Sequence, residues 1–405
     1  MFFRRKKAQQ VNYFVSIGAG LNQIPLIREA KKLGLHVIGI DANSSAPGFY
    51  HCDLKIQESI ENFDVIYKKL LELLVDGEIH GIMTKSYGTA IMTTSYLAEK
   101  FNIPFLPYVS SVGFINKRKM KSIFMEHDIL TPHLIPMTSR TRLDKISPGS
   151  YPIVVKPNIG HAKVNVSLAC NTAELQHFFT MHDRFADEFI LEKFIRGDEI
   201  ITAGIVHDSL FHLVEITDKK TSYPPYFIDL MHVSPSKYAH LFKRIEEIGQ
   251  TVAESYGIRR SPLIMEFVIN EDGEPFLIEA VPEFGGEFLP DVLIPASAQY
   301  NILEEAIKSA TSRGFRPPQP RKNKNAVVVR YVTGQKGILA SCNPDGPGQL
   351  KGTIFSRVLK DIGSPINDPV NNHDRVAVVA VTAPTVDEAI ALSEQAVSNF
   401  NMRIK

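Results

Sequence analysis

The sequence predicts a multidomain chain of mixed α/β and α+β class, opening with a doubly wound parallel sheet. Three observations carry that reading. Strand-like and helix-like segments alternate through the first third, with a glycine-bearing turn after the first strand. The middle of the chain runs through consecutive β-rich segments and one clear hairpin, the pattern of an antiparallel sheet. The length of 405 residues exceeds the roughly 250–300 at which a single core stops growing, so two or three domains are expected.

In chain order, "VNYFVSIGAG" is a strand from Val11 to Ile17 that ends in a glycine turn. "QIPLIREAKKLG" has apolar residues at helical spacing and stops at Gly34. "LHVIGID" is a second buried strand, with Asp41 at its end. "NFDVIYKKLLELLVDG" is an amphipathic helix, "EIHGIMTKS" a third strand and "GTAIMTTSYLAEKFN" a further helix, which closes a first domain at residues 1–110. "NKRKMKSIFMEHDIL" is a helix starting near Asn116, and "TSRTRLDKISPGS" is loop-like. "YPIVVKPNIGHAKVNVSLACN" reads as two strands joined by a short glycine-containing loop. "TAELQHFFTMHDRF" is a helix with Thr172 as its expected cap.

"EFILEKFIRGDEIITAGIVHDSLFHLVEIT" is a series of antiparallel strands, and "DKKTSYPPYF" is expected to leave that sheet as an excursion. "LFKRIEEIGQTVAESYG" is a long helix, and "PLIMEFVINEDGEPFLIEAV" a hairpin turning at "EDGE". Residues 313–325, rich in proline and basic side chains, are the best linker. Beyond it come the strands "AVVVRYV" and "RVAVVAVTA" and a helix whose Thr385 and Glu388 fit a capping box.

Composition bounds the function. Hydrophobic residues at 44% and charged residues at 22% are ordinary for a globular protein, and a net charge of +1 gives no basic surplus for a nucleic-acid or membrane-surface partner. No run of about 18 apolar residues occurs, so no segment is expected to span a bilayer. Cys52, Cys170 and Cys342 lie far apart, without zinc-ligand spacing or a disulfide framework, which makes a reducing cytoplasm the expected compartment.

Several residues have the chemistry of a site. Lys156 ends the apolar strand of "VVKP", where an ammonium can face phosphate oxygens or simply be solvated. Gly160 and Lys163 lie in a turn whose backbone N–H groups can cradle a triphosphate, or which is a plain hairpin. In "LEKFIRGDE", Gly197 lies in a short connector able to meet an adenine edge, and Glu199 is placed to accept from ribose hydroxyls; an ordinary charged turn fits the same letters. Glu266 in "IMEFVI" and Glu279 in "FLIEAV" interrupt apolar strands. A buried carboxylate costs several kcal/mol unless paired or metal-bound, and hairpin pairing can put both on one face, where they suit Mg²⁺ or bridge to lysines.

The order of these parts resembles the ATP-grasp superfamily, especially its carbamoyl-phosphate-synthase-like carboxylate–amine ligases, over nearly the whole chain. The resemblance implies a pre-grasp Rossmann-like domain (1–110), an ATP-grasp domain (111–320) with central and nucleotide-binding lobes, and a C-terminal α+β subdomain (321–405). It implies ATP and Mg²⁺ (or Mn²⁺) as cofactors, a small carboxylate and an amine as substrates, no nucleic acid or membrane partner, and a homodimer as one possible assembly. By the same match, either Lys117 or Lys121 is the first ATP lysine and Lys156 the second. Gly160 and Lys163 belong to the phosphate loop. Glu192, Lys193, Phe194 and Ile195 form the adenine hinge, Glu199 is the ribose ligand, and Glu266 and Glu279 are the metal carboxylates.

The chain departs from the family's "E-x-N-P-R" pattern at "EAVPE". Val281 replaces the third metal ligand, and Glu283 replaces an arginine and is a candidate to supplement the metal or bind a cationic amine. Arg330 is the candidate replacement cation and His232 the candidate general base. Asn165 stands where glycine usually follows the loop lysine. Two other classes stay open at this point. A dinucleotide-binding oxidoreductase is suggested by "GAG" and Asp41, although the third glycine of that fingerprint falls at Gln23. A non-catalytic ATP-binding module fits the altered "EAVPE".

Overall fold

The computed structural model describes residues 11–74, 77–137, 143–182, 188–286, 288–319 and 325–405. The first sheet is parallel: β1 (Val11–Ile17), β2 (His36–Asp41), β3 (Leu54–Gln57) and β4 (Gly77–Met83) stand in the order β3-β2-β1-β4. The helices α1 (Ile24–Lys32) and α2 (Phe63–Leu73) make the crossovers from β1 to β2 and from β3 to β4, and α3 (Thr89–Lys100) follows β4. The strands read as apolar runs because both faces are covered; Phe14, Val15, Ile17, Val37, Ile38 and Ile40 are fully buried, and each contributes roughly 1.5–3 kcal/mol. Where the order reverses at β1, a crevice of about 460 Å³ opens, lined by Gly20, Gln23, Asp41, Ser59 and Ser86 among others.

The helices α4 (Tyr108–Ile115) and α5 (Lys117–Glu126) follow, the second capped by Asn116, whose side chain accepts from Lys119 N. Then comes a small antiparallel sheet ordered β5-β8-β6-β7, made of β5 (Leu134–Ile135), β6 (Ile153–Pro157), β7 (Ser167–Ala169) and β8 (Phe189–Lys193). It is backed by α6 (Thr172–His182), with Ile153, Val155, Leu175, Phe178 and Leu191 in its core. The cap of α6 is Asn171 rather than Thr172. The Asn171 side chain accepts from Glu174 N at 2.9 Å, while the Thr172 hydroxyl accepts from Tyr151.

The large sheet starts with β9 (Gly197–His207), β10 (Leu210–Thr221) and β11 (Asp229–Ser234). After α7 (Phe242–Ser255) come β12 (Arg260–Asn270) and β13 (Pro275–Val281), the expected hairpin. Then α8 (Ile294–Ser297) and α9 (Ile302–Ala310) return to the first domain, where Asn301 donates to Glu29 at 3.1 Å. The last part contains β14 (Ala326–Thr333), β15 (Gly337–Ser341), β16 (Thr353–Val358), β17 (Pro365–Ile366), β18 (Arg375–Ala383), α10 (Val386–Ser398) and β19 (Arg403–Ile404), with the Thr385–Glu388 capping box formed. β17, β15 and β19 make a small separate sheet.

Eight strands join as β13-β12-β9-β10-β11-β14-β18-β16. The strands β14, β18 and β16 therefore continue the large sheet across the boundary expected at 320/321, so the C-terminal part shares that sheet with the segment before it and adds the small three-stranded one. The linker expected at 313–325 is anchored where it is described: Arg313 donates to Leu33 O, and Arg316 pairs with Glu305. Residues 320–324 lie outside the described residues. The excursion after β10 is shorter than expected. The strand runs on to Thr221, and only residues 222–228 leave the sheet.

Candidate active site

The small sheet and α5 bring lysines to one edge of a cleft. Lys117, in the first turn of α5, donates to Gly160 O at 2.8 Å and lies 3.4 Å from Glu279 Oε1 on β13. Lys121, one turn on, is fully buried and donates to Thr131 Oγ1 (2.7 Å) and Leu277 O (3.2 Å). Lys156, ending β6, reaches Glu192 Oε2 at 2.9 Å, and Lys121 lies 3.5 Å from the other oxygen of the same carboxylate. Burial drives the Lys121 ammonium down to about 7, against the pull of Glu192. Burial pushes the Glu192 carboxyl up, but Lys121 and Lys156 together hold it below its ordinary range.

The loop between β6 and β7 carries Lys163. Ala162, Lys163 and Asn165 have φ of 54°, 59° and 57°. Asn165 thus takes the left-handed conformation for which glycine is usual, and asparagine tolerates it better than most side chains. The loop is held across the cleft. The His161 ring lies against Tyr87 (centroids 4.3 Å apart) and His373 (5.8 Å), and Ala162 O accepts from Asn372 N at 3.0 Å.

The large sheet supplies the opposite wall. Glu266 on β12 and Glu279 on β13 are direct cross-strand partners, so the hairpin register places both on one face. Glu199 on β9 pairs across to Lys219 on β10, and Lys219 reaches three carboxylates: Glu266 (2.9 Å), Asp229 (2.9 Å) and Glu199 (3.3 Å). Lys163 comes over from the loop to within 3.8 Å of Glu199 and of Glu266. Burial and Lys219 press the Lys163 pKa down, yet Glu199, Glu266 and Asp229 hold it above the ordinary lysine value. The same three carboxylates overcome burial at Lys219 and raise it well above that value. Lys219 and Lys163 hold Glu266 ionised despite its burial. Five lysines (117, 121, 156, 163, 219) and five carboxylates (192, 199, 229, 266, 279) thus pair around one cleft, with Lys117 and Lys163 reaching across it to Glu279, Glu199 and Glu266.

Residues 194–196 connect the two sheets, leading from β8 into β9. Phe194 N donates to Pro152 O at 3.0 Å, Lys193 points outward toward Gly149, and Ile195 is half-buried between them and Gly197. A side chain at Gly197 would meet Ile269 O at 2.0 Å, so β9 and β12 can pair there only with glycine. Glu192 differs from its expected place in this connector: its side chain is buried among the lysines.

Two candidates lie elsewhere. Arg330 shares a face of β14 with Val328, the face covered by α10, and donates to Ser393 Oγ (2.7 Å) and Glu394 (3.3 Å). It is therefore not a replacement cation in the cleft. His232 is on the cleft's face of the sheet, opposite Lys219, but it is fully buried beside Tyr331. Glu283, just past the end of β13, is buried near Glu279, Lys85 and Tyr87.

Lys219, Asp229 and Asn372 were not foreseen. Asn372 donates to Asp229 Oδ2 at 2.6 Å and so fixes one of the carboxylates around Lys219. The signal for Lys219 lay in the two-residue period of Glu215, Thr217 and Lys219, all buried on one face of β10. Nothing in the sequence pointed to Asn372, which arrives from the far end of the chain.

Comparison with known proteins bears on the family and the fold. The model of the ATP-grasp domain matches residues 149–291, the stretch from β6 to the segment after β13. D-alanine–D-alanine ligase A of Bacillus cereus is 30% identical over 235 residues, covering 54% of this chain and 76% of that protein. The D-alanine–D-alanine ligase of Geobacter sulfurreducens is 27% identical over 198 residues, which is 46% of this chain and 61% of that enzyme. In fold, the chain resembles the L-amino acid ligase of Bacillus licheniformis (TM-score 0.79, 20% identity, 98% of this chain and 99% of that one). It also resembles the phosphoribosylglycinamide synthetase of Anaerococcus prevotii (TM-score 0.75, 20% identity, 98% and 100%). With one relative 30% identical over three quarters of its length, and the lysine and carboxylate walls facing each other as described, the chain belongs to the ATP-grasp family of carboxylate–amine ligases.

Proposed function

We propose that this chain uses ATP to activate a small carboxylate and joins it to an amine. The carboxylate oxygen attacks the γ-phosphorus, the bond to the β,γ-bridging oxygen breaks, and ADP and an acyl phosphate result. The amine nitrogen then bonds to the acyl carbon, the bond from that carbon to the phosphate oxygen breaks, and inorganic phosphate leaves with the proton the nitrogen gives up. The chain's part is positioning and charge neutralisation, as in phosphoryl transfer generally. Lys117, Lys156 and Lys163 are assigned to the phosphates, with Lys219 added. Lys121 is fully buried and bonded inside, so it supports rather than touches the nucleotide. The backbone of residues 193–195 is assigned to the adenine edge and Glu199 to the ribose. The loop around Gly160 and Lys163 covers the reaction and excludes water, which protects the acyl phosphate.

Glu266 and Glu279 offer hard oxygen donors on one face, which suits Mg²⁺ or Mn²⁺. Among the described residues no group of three or more His, Cys, Asp or Glu side chains converges to hold a metal, so Glu266 and Glu279 would be the chain's own contribution to a cation held together with the nucleotide. When bound, the cation supplies charge neutralisation at the phosphates.

The observation that carries this reading is the cross-strand register of Glu266 with Glu279, met from the other lobe by Lys117 and Lys163. A screen of paired carboxylates and amines for ADP release, with products read by mass spectrometry, tests it. Substrate-dependent ADP release that is lost in Glu279→Gln is expected. Failure of Mg–ATP to raise the thermal stability of the chain would refute the assignment. Val281, which brings no donor to the metal, favours a second reading as an ATP-binding module without turnover. That reading predicts Mg–ATP stabilisation with no ADP release for any pair. No helix of the described residues is long and apolar enough to cross a membrane.

A further inference from the structure

Each carboxylate of the cleft has a cation beside it except one. Glu279 has Lys117, Glu266 and Glu199 have Lys163 and Lys219, Asp229 has Lys219, and Glu192 has Lys121 and Lys156. Glu283 has no ion pair among the described residues, and its Oε2 is buried without a hydrogen-bond partner. The residue is only 8% exposed. Its carboxylate accepts from the backbone N–H groups of Gly285 and Phe284 in a tight turn, where Glu283 N donates to Val281 O at 2.9 Å and Gly285 takes φ 73°.

The nearest cation, Lys85, is committed to Asp291. Lys85 is also held by its backbone, whose N–H donates to Gln23 Oε1 at 2.9 Å. A buried carboxylate with a free oxygen and no counter-charge costs several kcal/mol, and burial raises its pKa to about 7. A compact cation that donates hydrogen bonds removes that cost.

The position of Glu283 gives the cation a place in the reaction. The residue follows Glu279 by four positions and is close enough to feel its charge. It also faces Tyr87, whose ring packs on His161 of the phosphate loop. A group held between Glu283 and Tyr87 therefore sits beside the loop that covers the γ-phosphate in the ligase reading, on which this inference rests. The Tyr87 ring adds an aromatic face suited to an ammonium.

We propose that Glu283 anchors the ammonium group of the amine substrate and takes one of its protons before the nitrogen attacks, so that the acceptor enters as a cation: a free amino acid or a similarly small ammonium compound. An ammonium supplies the donor to Oε2 and the single positive charge that the site lacks.

The test uses the full chain with Mg²⁺ and a non-hydrolysable ATP analogue. Glycine, L-alanine, D-alanine and short alkylamines are titrated by calorimetry against the corresponding neutral alcohols and hydroxy acids, with wild type, Glu283→Gln and Glu283→Asp. Binding of at least one ammonium compound but not of its neutral isostere is expected. Glu283→Gln is expected to weaken it roughly tenfold or more, the scale of one charge-assisted hydrogen bond, while leaving the nucleotide affinity unchanged. Glu283→Asp, which keeps the charge, should recover part of the loss.

Equal binding of the neutral isosteres would overturn the proposal. So would an unchanged amine affinity in Glu283→Gln, or a shifted Mg²⁺ requirement in its place, the mark of a metal ligand. A wild-type chain that fails to bind the nucleotide would remove the ligase reading itself and this proposal with it.

Discussion

Replacing Glu192 with glutamine keeps the shape of the side chain and removes its charge from between two lysines. The carboxylate is 3% exposed and lies 2.9 Å from Lys156 Nζ and 3.5 Å from Lys121 Nζ. At an effective dielectric near 20, each contact is an attraction of about 5 kcal/mol. Part of that offsets the loss of water around three charges, so the relevant scale is that of breaking a buried pair from one side, about 3–5 kcal/mol. Lys121 limits the damage. Its pKa already lies at about 7, so without Glu192 it gives up its proton instead of staying buried as a cation. We therefore expect Glu192→Gln to lose about 3 kcal/mol at pH 7. The chain has no tryptophan, so urea unfolding followed by far-ultraviolet circular dichroism is the suitable assay. Combining it with Lys156→Met should lose less than Glu192→Gln alone, because the lysine that Glu192 leaves without a counter-charge has gone. A Glu192→Gln protein as stable as wild type, or strict additivity in the pair, would refute the buried triad.

The pH dependence of stability follows from Glu283. Its folded pKa is raised from 4.5 to about 7, so the folded state binds more protons in that window and stability falls as pH rises through it, by roughly 3 kcal/mol. Glu283→Gln should flatten this limb, as read by urea unfolding at pH 5 and pH 8. Gly197→Ala should destabilise by about 1–3 kcal/mol in the same assay, since the added methyl meets Ile269 O at 2.0 Å; an unchanged midpoint would mean that β9 and β12 can separate freely. Arg330→Met should cost about 1 kcal/mol through its bonds to Ser393 and Glu394 and leave ADP release intact; a collapse of activity would restore it to the cleft.

The legible parts of this molecule were those with a period or a turn. The parallel sheet could be read because apolar strands and amphipathic helices alternate, and the acid pair because a carboxylate inside "IMEFVI" or "FLIEAV" demands a reason. What stayed hidden depended on sidedness and on distant partners. "AVVVRYV" is buried on both faces, so alternation did not reveal that Arg330 faces α10. The polar letters of "DKKTSY" looked like a loop, although Lys219 continues the inward face of β10 as the counter-ion of three acids. Glu192 reads as part of a connector because its lysine partners, Lys121 and Lys156, lie 71 and 36 positions earlier in the chain.

The continuity of the eight-stranded sheet bears on how the molecule can be divided. A polypeptide trimmed to residues 149–291 would lack α5 and with it Lys117, and would lack Asn372, which steadies both Asp229 and the loop between β6 and β7. Ending the chain at residue 320 would strip β14 from β11 and leave a row of unsatisfied backbone groups at a newly bared edge, an invitation to self-association. Catalytic walls and terminal strands stand or fall together, and gene fragments meant to isolate the nucleotide site should carry the final 80 or so residues with them.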